Sequence, residues 1–152
     1  AYGPNLALGY YKNEEATSQT LDKDGWYHTG DLGTMDSNGN VFIKGRSKNM
    51  LLGANGQNIY PEEIEDKLNS MAVVNECVVV QRGEKLVGIV HPDYDEVEAM
   101  RFSEEDLNNI MEQNRQALNA EMPVYCKLSA IEIQKEEFEK TPKKSIKRYL
   151  YK

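Results

Sequence analysis

The sequence predicts an α+β chain in two parts, a β-rich segment over residues 1–47 and a mixed α+β domain over residues 48–152. Three observations lead there. "DSNGN" at Asp36–Asn40 lies between the short apolar runs "LGTM" and "VFIKG", and an Asn-Gly pair so flanked is a strong hairpin signal. Beyond residue 48 the patterns run strands, helix, hairpin, helix, strand, an order that fits an α+β domain. No internal repeat or low-complexity linker interrupts either part.

The elements follow in order. A calcium-loop reading of Asp36 and Asn38 fails, because the ligand spacing before Gly39 and the closing Glu are both missing. "MLLG" and "NIY" read as short strands. "PEEIEDKLNSM" reads as a helix with Pro61 in its first turn and Ile64, Leu68 and Met71 on one face. "ECVVVQRGEKLVGIV" gives two strands joined at Arg82–Glu84. "SEEDLNNIMEQNRQALNAEM" gives a helix capped by Ser103, with acids in its first turn and Leu107, Ile110, Met111 and Leu118 facing inward. "LSAIEIQ" closes the set as a strand.

Charge is unevenly spread. All 25 acids precede Lys140, where they outnumber twelve cations, whereas Lys140, Lys143, Lys144, Lys147, Arg148 and Lys152 follow with no acid among them. The net charge of −7 argues against a nucleic-acid partner. Cys77 and Cys126 form no CxxC, and Cys77 lies within "CVVV", so both read as reduced core thiols of a cytosolic protein. No apolar run approaches the roughly 18 residues that span a membrane, and the N-terminus has neither a basic region nor a long apolar one. The chain begins without Met and reads as a piece of something longer.

Three stretches carry a resemblance: "GWYHTGDLG" at Gly25–Gly33, "GRSKNMLLGANGQNIYPEEIE" at Gly45–Glu65, and "TPKKSIKR" at Thr141–Arg148. In order and spacing the chain resembles the adenylate-forming superfamily of acyl-CoA synthetases, nonribosomal adenylation domains and luciferases. Its loop after Gly53 is about one residue longer than the commoner form, nearer to long-chain fatty acid–CoA ligases. The opening "GPNLALGYYKNEEAT" is similar to the end of that family's large N-terminal domain. The resemblance implies the last β-rich segment of the large adenylate-binding domain over 1–47, then a hinge and a small mobile C-terminal domain over 48–152. It also implies ATP or AMP, CoA and an acyl substrate as ligands, with Mg2+, the phosphate-binding loop and the acyl pocket all held outside this chain. A membrane-peripheral location through the acyl substrate is compatible with it. The missing N-terminal domain would be the partner, and the isolated chain would be inactive.

Residue by residue, Asp31 ends "TGD". An ionised carboxylate can accept both hydroxyls of a ribose, which makes Asp31 the nucleotide ligand; the other reading is a turn cap after Gly30. Arg46 brings a fixed fork of donors to the ribose oxygens from the opposite side, or is a surface residue after a strand. His28, beside Trp26 and Tyr27, reads as a packed residue with no catalytic role. Lys48 takes the family's hinge position between adenylation and thioester-forming orientations. Gly53, Gly56 and Gln57 lie on the loop that a pantetheine arm would pass, where glycine permits close approach; a plain Asn-Gly turn is the alternative.

The tail departs from the family. The common form "TPTGKIKR", laid without a gap on "TPKKSIKR", places the catalytic lysine at Ser145. A lysine there would bridge the acyl carboxylate and the α-phosphate as charge develops; a serine cannot. Lys144 is the substitute a one-residue slip would bring, with Lys143 one further back. Ser145 otherwise reads as the N-cap of a short terminal helix. Three functional readings follow: an ATP-dependent acyl-CoA ligase, a ligase-related binding or regulatory module that has lost adenylation, and an enzyme that passes its acyl group to a carrier-protein phosphopantetheine.

Overall fold

Residues 1–151 are described by a computed structural model. The chain divides between Lys48 and Asn49 into two units. In the first, α1 (Glu14–Thr20) starts where Asn13 Oδ1 accepts the Ala16 N–H at 2.9 Å. Asp31–Met35 (β1) and Val41–Arg46 (β2) then pair antiparallel. The turn between them is the one "DSNGN" predicts. Asp36 Oδ1 accepts the N–H groups of Asn38 and Asn40, both at 2.9 Å, and Gly39 takes a left-handed φ of 84°. This unit buries little: of residues 1–48 Gly45 alone is buried, while Met35, Val41, Phe42 and Ile43 are each more than half exposed.

The second unit opens with Leu51–Leu52 (β3) paired antiparallel to Asn58–Ile59 (β4), followed by Pro61–Leu68 (α2). Ile64 and Leu68 are fully buried as predicted, whereas Met71 falls beyond the helix end and is half-buried. Val74–Arg82 (β5) and Lys85–Pro92 (β6) form an antiparallel pair, and Leu128–Ile133 (β7) adds to β6 in parallel, so the sheet order is β5-β6-β7. A parallel neighbour requires a crossover. Here Tyr94–Met100 (α3) and Glu104–Glu121 (α4) provide it. α4 begins in a reciprocal cap between Ser103 and Asp106.

Strand alternation sorts the core into two layers. Cys77, Val79, Leu86 and Val90 face one side, with Ile64 and Leu68 of α2 and Leu107, Met111 and Leu118 of α4. Val78, Val80, Val87 and Ile89 face the other side, where Phe138, Ile146 and Tyr151 cover them. Gly88 is required by the first layer: a Cβ there would stand 3.0 Å from Leu128 Cδ1 and 3.2 Å from Leu68 Cδ2. Both cysteines are buried and free, and burial pushes their thiols up, well above the ordinary range for Cys77. Among the described residues no helix is long and apolar enough to cross a membrane.

Candidate functional site

In the first unit Gly30, at φ 76°, turns the chain into β1 and delivers Asp31 to its first position. Asp31 stands directly opposite Arg46, and Asp31 Oδ1 lies 2.9 Å from Arg46 Nη1. The same nitrogen donates to the Thr29 carbonyl at 2.7 Å, while the Thr29 hydroxyl accepts the Asp31 N–H at 3.1 Å. Arg46 is thus directed onto Asp31 itself. Asp31 Oδ2 accepts no hydrogen bond among the described residues, which leaves one carboxylate oxygen available to a hydroxyl donor. His28 is not packed: its side chain is 62% exposed and its Nε2 lies 3.1 Å from Asp22 Oδ2, because the Asp22 carboxylate at the turn attracts it outward.

Lys48 is exposed and is the last residue before the two units divide. In the second unit Gly53 and Gln57 line an open groove of about 620 Å³, with Arg115 and Asn119 of α4 and with Lys85 and Lys127. Glu84 is the acid on its wall. Arg115 is held by Glu112, whose carboxyl the Arg115 hydrogen bonds pull down to about 2, whereas neither Lys85 nor Lys127 has a carboxylate partner among the described residues. Gln57 Oε1 is buried without a hydrogen-bond partner among the described residues. An acceptor so placed costs free energy unless a water or another donor reaches it. Gly56 is not part of the groove. It closes a turn by donating its N–H to the Gly53 carbonyl at 2.9 Å, at φ 79° with nothing within 4 Å of a Cβ, which is the plain turn role.

The tail forms a closed hairpin. Lys140 bridges Ile146, Thr141 N–H donates to the Ser145 carbonyl at 2.8 Å, and Lys147 N–H donates to the Glu139 carbonyl at 2.8 Å. Its tip is Pro142–Lys144, closed by Lys144 N–H on the Thr141 carbonyl at 2.8 Å. The cations divide sharply. Lys140 pairs with Glu76 at 2.7 Å, Lys147 with Glu139 at 3.0 Å, and Arg148 grips Glu65. Lys143 and Lys144 are exposed and have no carboxylate partner among the described residues. Lys144 also takes a left-handed φ of 61°. It occupies the glycine position of "TPTGKIKR", and a turn that asks for φ > 0 is why glycine suits that place. A glycine preference at this place agrees with the ungapped alignment in which Ser145 falls at the family lysine. Ser145 does not cap a helix: the terminal 3-10 turn spans Arg148–Leu150, its N-cap is Lys147, and no side chain caps it. The Ser145 N–H is instead directed to Thr141 Oγ1 at 3.3 Å across the hairpin.

Sequence reasoning missed the Glu65–Arg148 pair. Arg148 Nη1 donates to Glu65 Oε1 at 2.5 Å and Nη2 donates to Glu65 Oε2, so the contact is bidentate. Glu65 Oε1 also accepts the Val79 N–H at 2.6 Å on edge strand β5. Glu65 is 6% exposed, and burial pushes its carboxyl up against the opposing pull of Arg148. The signal was present. Pro61, Ile64, Glu65 and Leu68 make one buried helical stripe, and an acid on such a stripe requires a buried partner.

Residues 48–151 match the family described as AMP-binding enzyme C-terminal domain. The chain is 37% identical over 123 residues to a 2-succinylbenzoate–CoA ligase of Bacillus cytotoxicus, covering 81% of this chain and 25% of that protein. It is 38% identical over 121 residues to long-chain-fatty-acid–CoA ligase 1 of Saccharomyces cerevisiae, covering 78% of this chain and 17% of that protein. The chain thus spans a quarter or less of the length of these relatives. Its fold is similar to the adenylation domain of a carboxylate reductase from Mycobacterium chelonae, with a TM-score of 0.81 at 23% identity over 95% of this chain and 24% of that one.

Proposed function

The chain belongs to the AMP-binding enzyme C-terminal domain family, and from that membership we propose that it is the C-terminal part of an ATP-dependent acyl-CoA ligase whose large adenylate-binding domain is its partner. Residues 1–47 are the end of that large domain and residues 48–152 the hinge and mobile small domain. The exposed apolar residues Met35, Val41, Phe42 and Ile43 support a covering partner for the first unit.

The reaction runs in two steps. A carboxylate oxygen attacks the α-phosphorus of ATP and pyrophosphate leaves; the CoA thiol then attacks the acyl carbon, loses its proton, and AMP leaves. Asp31 accepts ribose hydroxyls, with Arg46 holding its carboxylate in place. Lys144 supplies positive charge at the α-phosphate as the adenylyl group is transferred. The groove beside Gly53 and Gln57 takes the pantetheine arm, whose amide N–H groups suit the unpartnered Gln57 Oε1, while Lys85 and Lys127 favour an anionic ligand. A fatty acid is the acyl substrate to try first, because a long-chain-fatty-acid–CoA ligase is among the relatives beside a 2-succinylbenzoate–CoA ligase; the acyl pocket that selects the acid lies outside this chain. Mg2+ binds outside this chain.

The observation that carries this reading is the match of residues 48–151 to the AMP-binding enzyme C-terminal domain family; the tail tip, where Lys143 and Lys144 are exposed with no carboxylate partner among the described residues, is where we place its charge. The test is acid-dependent ATP–pyrophosphate exchange by the full-length protein over a panel of carboxylic acids, with the 152-residue chain silent by itself. Exchange with no acid of the panel would overturn the reading. Ser145 favours one second reading, a ligase-related protein that has lost adenylation. It predicts thioester formation from supplied acyl-adenylate but none from free acid.

A further inference from the structure

We propose that Arg148, held by Glu65, is a positioning residue that fixes the tail tip bearing Lys143 and Lys144 against the body of the second unit; the inference rests on the adenylating role assigned above to that tip. Glu65 is the one buried carboxylate among the described residues. As a contribution to stability such a pair is close to break-even, because desolvation offsets much of the attraction. What a bidentate pair supplies is geometry: two parallel N–H···O bonds fix the direction of the guanidinium as well as its distance.

The geometry points to orientation because three elements meet at this carboxylate. Glu65 lies on α2, it accepts the Val79 N–H at 2.6 Å on the edge of β5, and Arg148 Nη1 reaches the Val79 carbonyl at 3.5 Å as it grips Glu65. Lys140 anchors the other leg of the hairpin on Glu76 of β5 at 2.7 Å. Phe138 and Tyr151, flanking the hairpin, and Ile146 within it pack on the sheet, with the rings of Phe138 and Tyr151 edge to face at 5.0 Å. The Glu139 N–H donates to the Tyr151 hydroxyl at 2.8 Å. Both legs are thus tied by ion pairs to a rigid strand or helix, and the tip alone stands clear. Lys at position 148 would keep the charge but could not reproduce the fork.

The test uses Arg148→Lys in the full-length protein with three readouts. Amide exchange at Thr141–Ser145 should quicken while that of α4 stays the same. Acid-dependent ATP–pyrophosphate exchange should fall about 100-fold, the scale of cost when a reacting group is misplaced by about an ångström. Thioester formation from preformed acyl-adenylate should be nearly unchanged. Unaltered amide exchange at the tip, a quickened tip with full adenylation, or an equal fall in both half-reactions would each overturn the positioning role. A wild-type protein without pyrophosphate exchange would instead show that the adenylating reading had failed, together with the inference built on it.

Discussion

Asp31 faces Arg46 because β2 holds one residue more than β1 across the bulge between Leu32 and Gly33. From the turn outward Met35 faces Val41, Thr34 faces Phe42 and Gly33 faces Ile43, and then Leu32 faces Gly45, so that the register steps over Lys44. In regular register Asp31 would face Gly45, and the Arg46 side chain would lie on the other side of the ribbon. The bulge is what joins the two charges. Replacing Asp31 by Ala in the full-length protein should therefore weaken AMP binding roughly 10- to 100-fold, the worth of about 1.5–3 kcal/mol for hydrogen bonds to an ionised group. Calorimetric titration with AMP measures it, and unchanged affinity would remove Asp31 from the nucleotide site.

Gln57→Leu removes the buried acceptor of the groove with little change of volume. A neutral hydrogen bond contributes about 0.5–1.5 kcal/mol, so the KM for CoA should rise roughly 2- to 10-fold. Acid-dependent pyrophosphate exchange should not move, because CoA takes no part in it. A variant with wild-type KM for CoA would mean that Gln57 Oε1 is only an unsatisfied loop atom.

Legibility tracked periodicity. α2, α4 and the β5–β6 hairpin were readable because each buries a regular face, and Ser103 announced its own cap. α1 and α3 escaped because each has seven residues and buries none, so no apolar stripe marks them. They hold by local capping from Asn13 and Asp93. The turn at Asp36–Asn40 was legible, but its bulge was not, and so the facing of Asp31 and Arg46 could be guessed only from the motifs that contain them. Arg148 read as one more tail cation because its partner lies 83 residues away. Ser145 was misread for a related reason: a cap was inferred from local sequence, while the tertiary bridge between Lys140 and Ile146 draws the chain into a hairpin.

At the junction, Lys48→Pro fixes φ near −65° and removes an N–H. Lys48 is exposed and ends the first unit, so the change should spare both folds. If the small domain pivots here between its two orientations, the variant should be trapped in one and lose one half-reaction far more than the other. Rapid-quench measurement of each half-reaction in the full-length protein decides it. Equal losses would place the hinge elsewhere.

The tail offers the sharpest test, since its strained residue and its catalytic candidate are one and the same. Lys144 holds a left-handed φ of 61° that costs an L-residue about 1–2 kcal/mol. Lys144→Gly should relieve that strain while removing the ammonium, so folding stability should hold or rise. Adenylation should nevertheless fall about 100- to 1,000-fold, the usual effect of losing one charge-stabilising donor. Thioester formation from preformed adenylate should persist. Adding Ser145→Lys to that variant returns the sequence to "TPKGKIKR", with the ammonium at the family position and glycine in the left-handed turn. The double variant should recover adenylation to the wild-type rate or above. Recovery would show that the tip is an intact catalytic hairpin whose lysine has moved by one residue. A stable Lys144→Gly with full adenylation, unimproved by Ser145→Lys, would leave Lys143 and Lys144 as solvated charges and remove the tail from the chemistry.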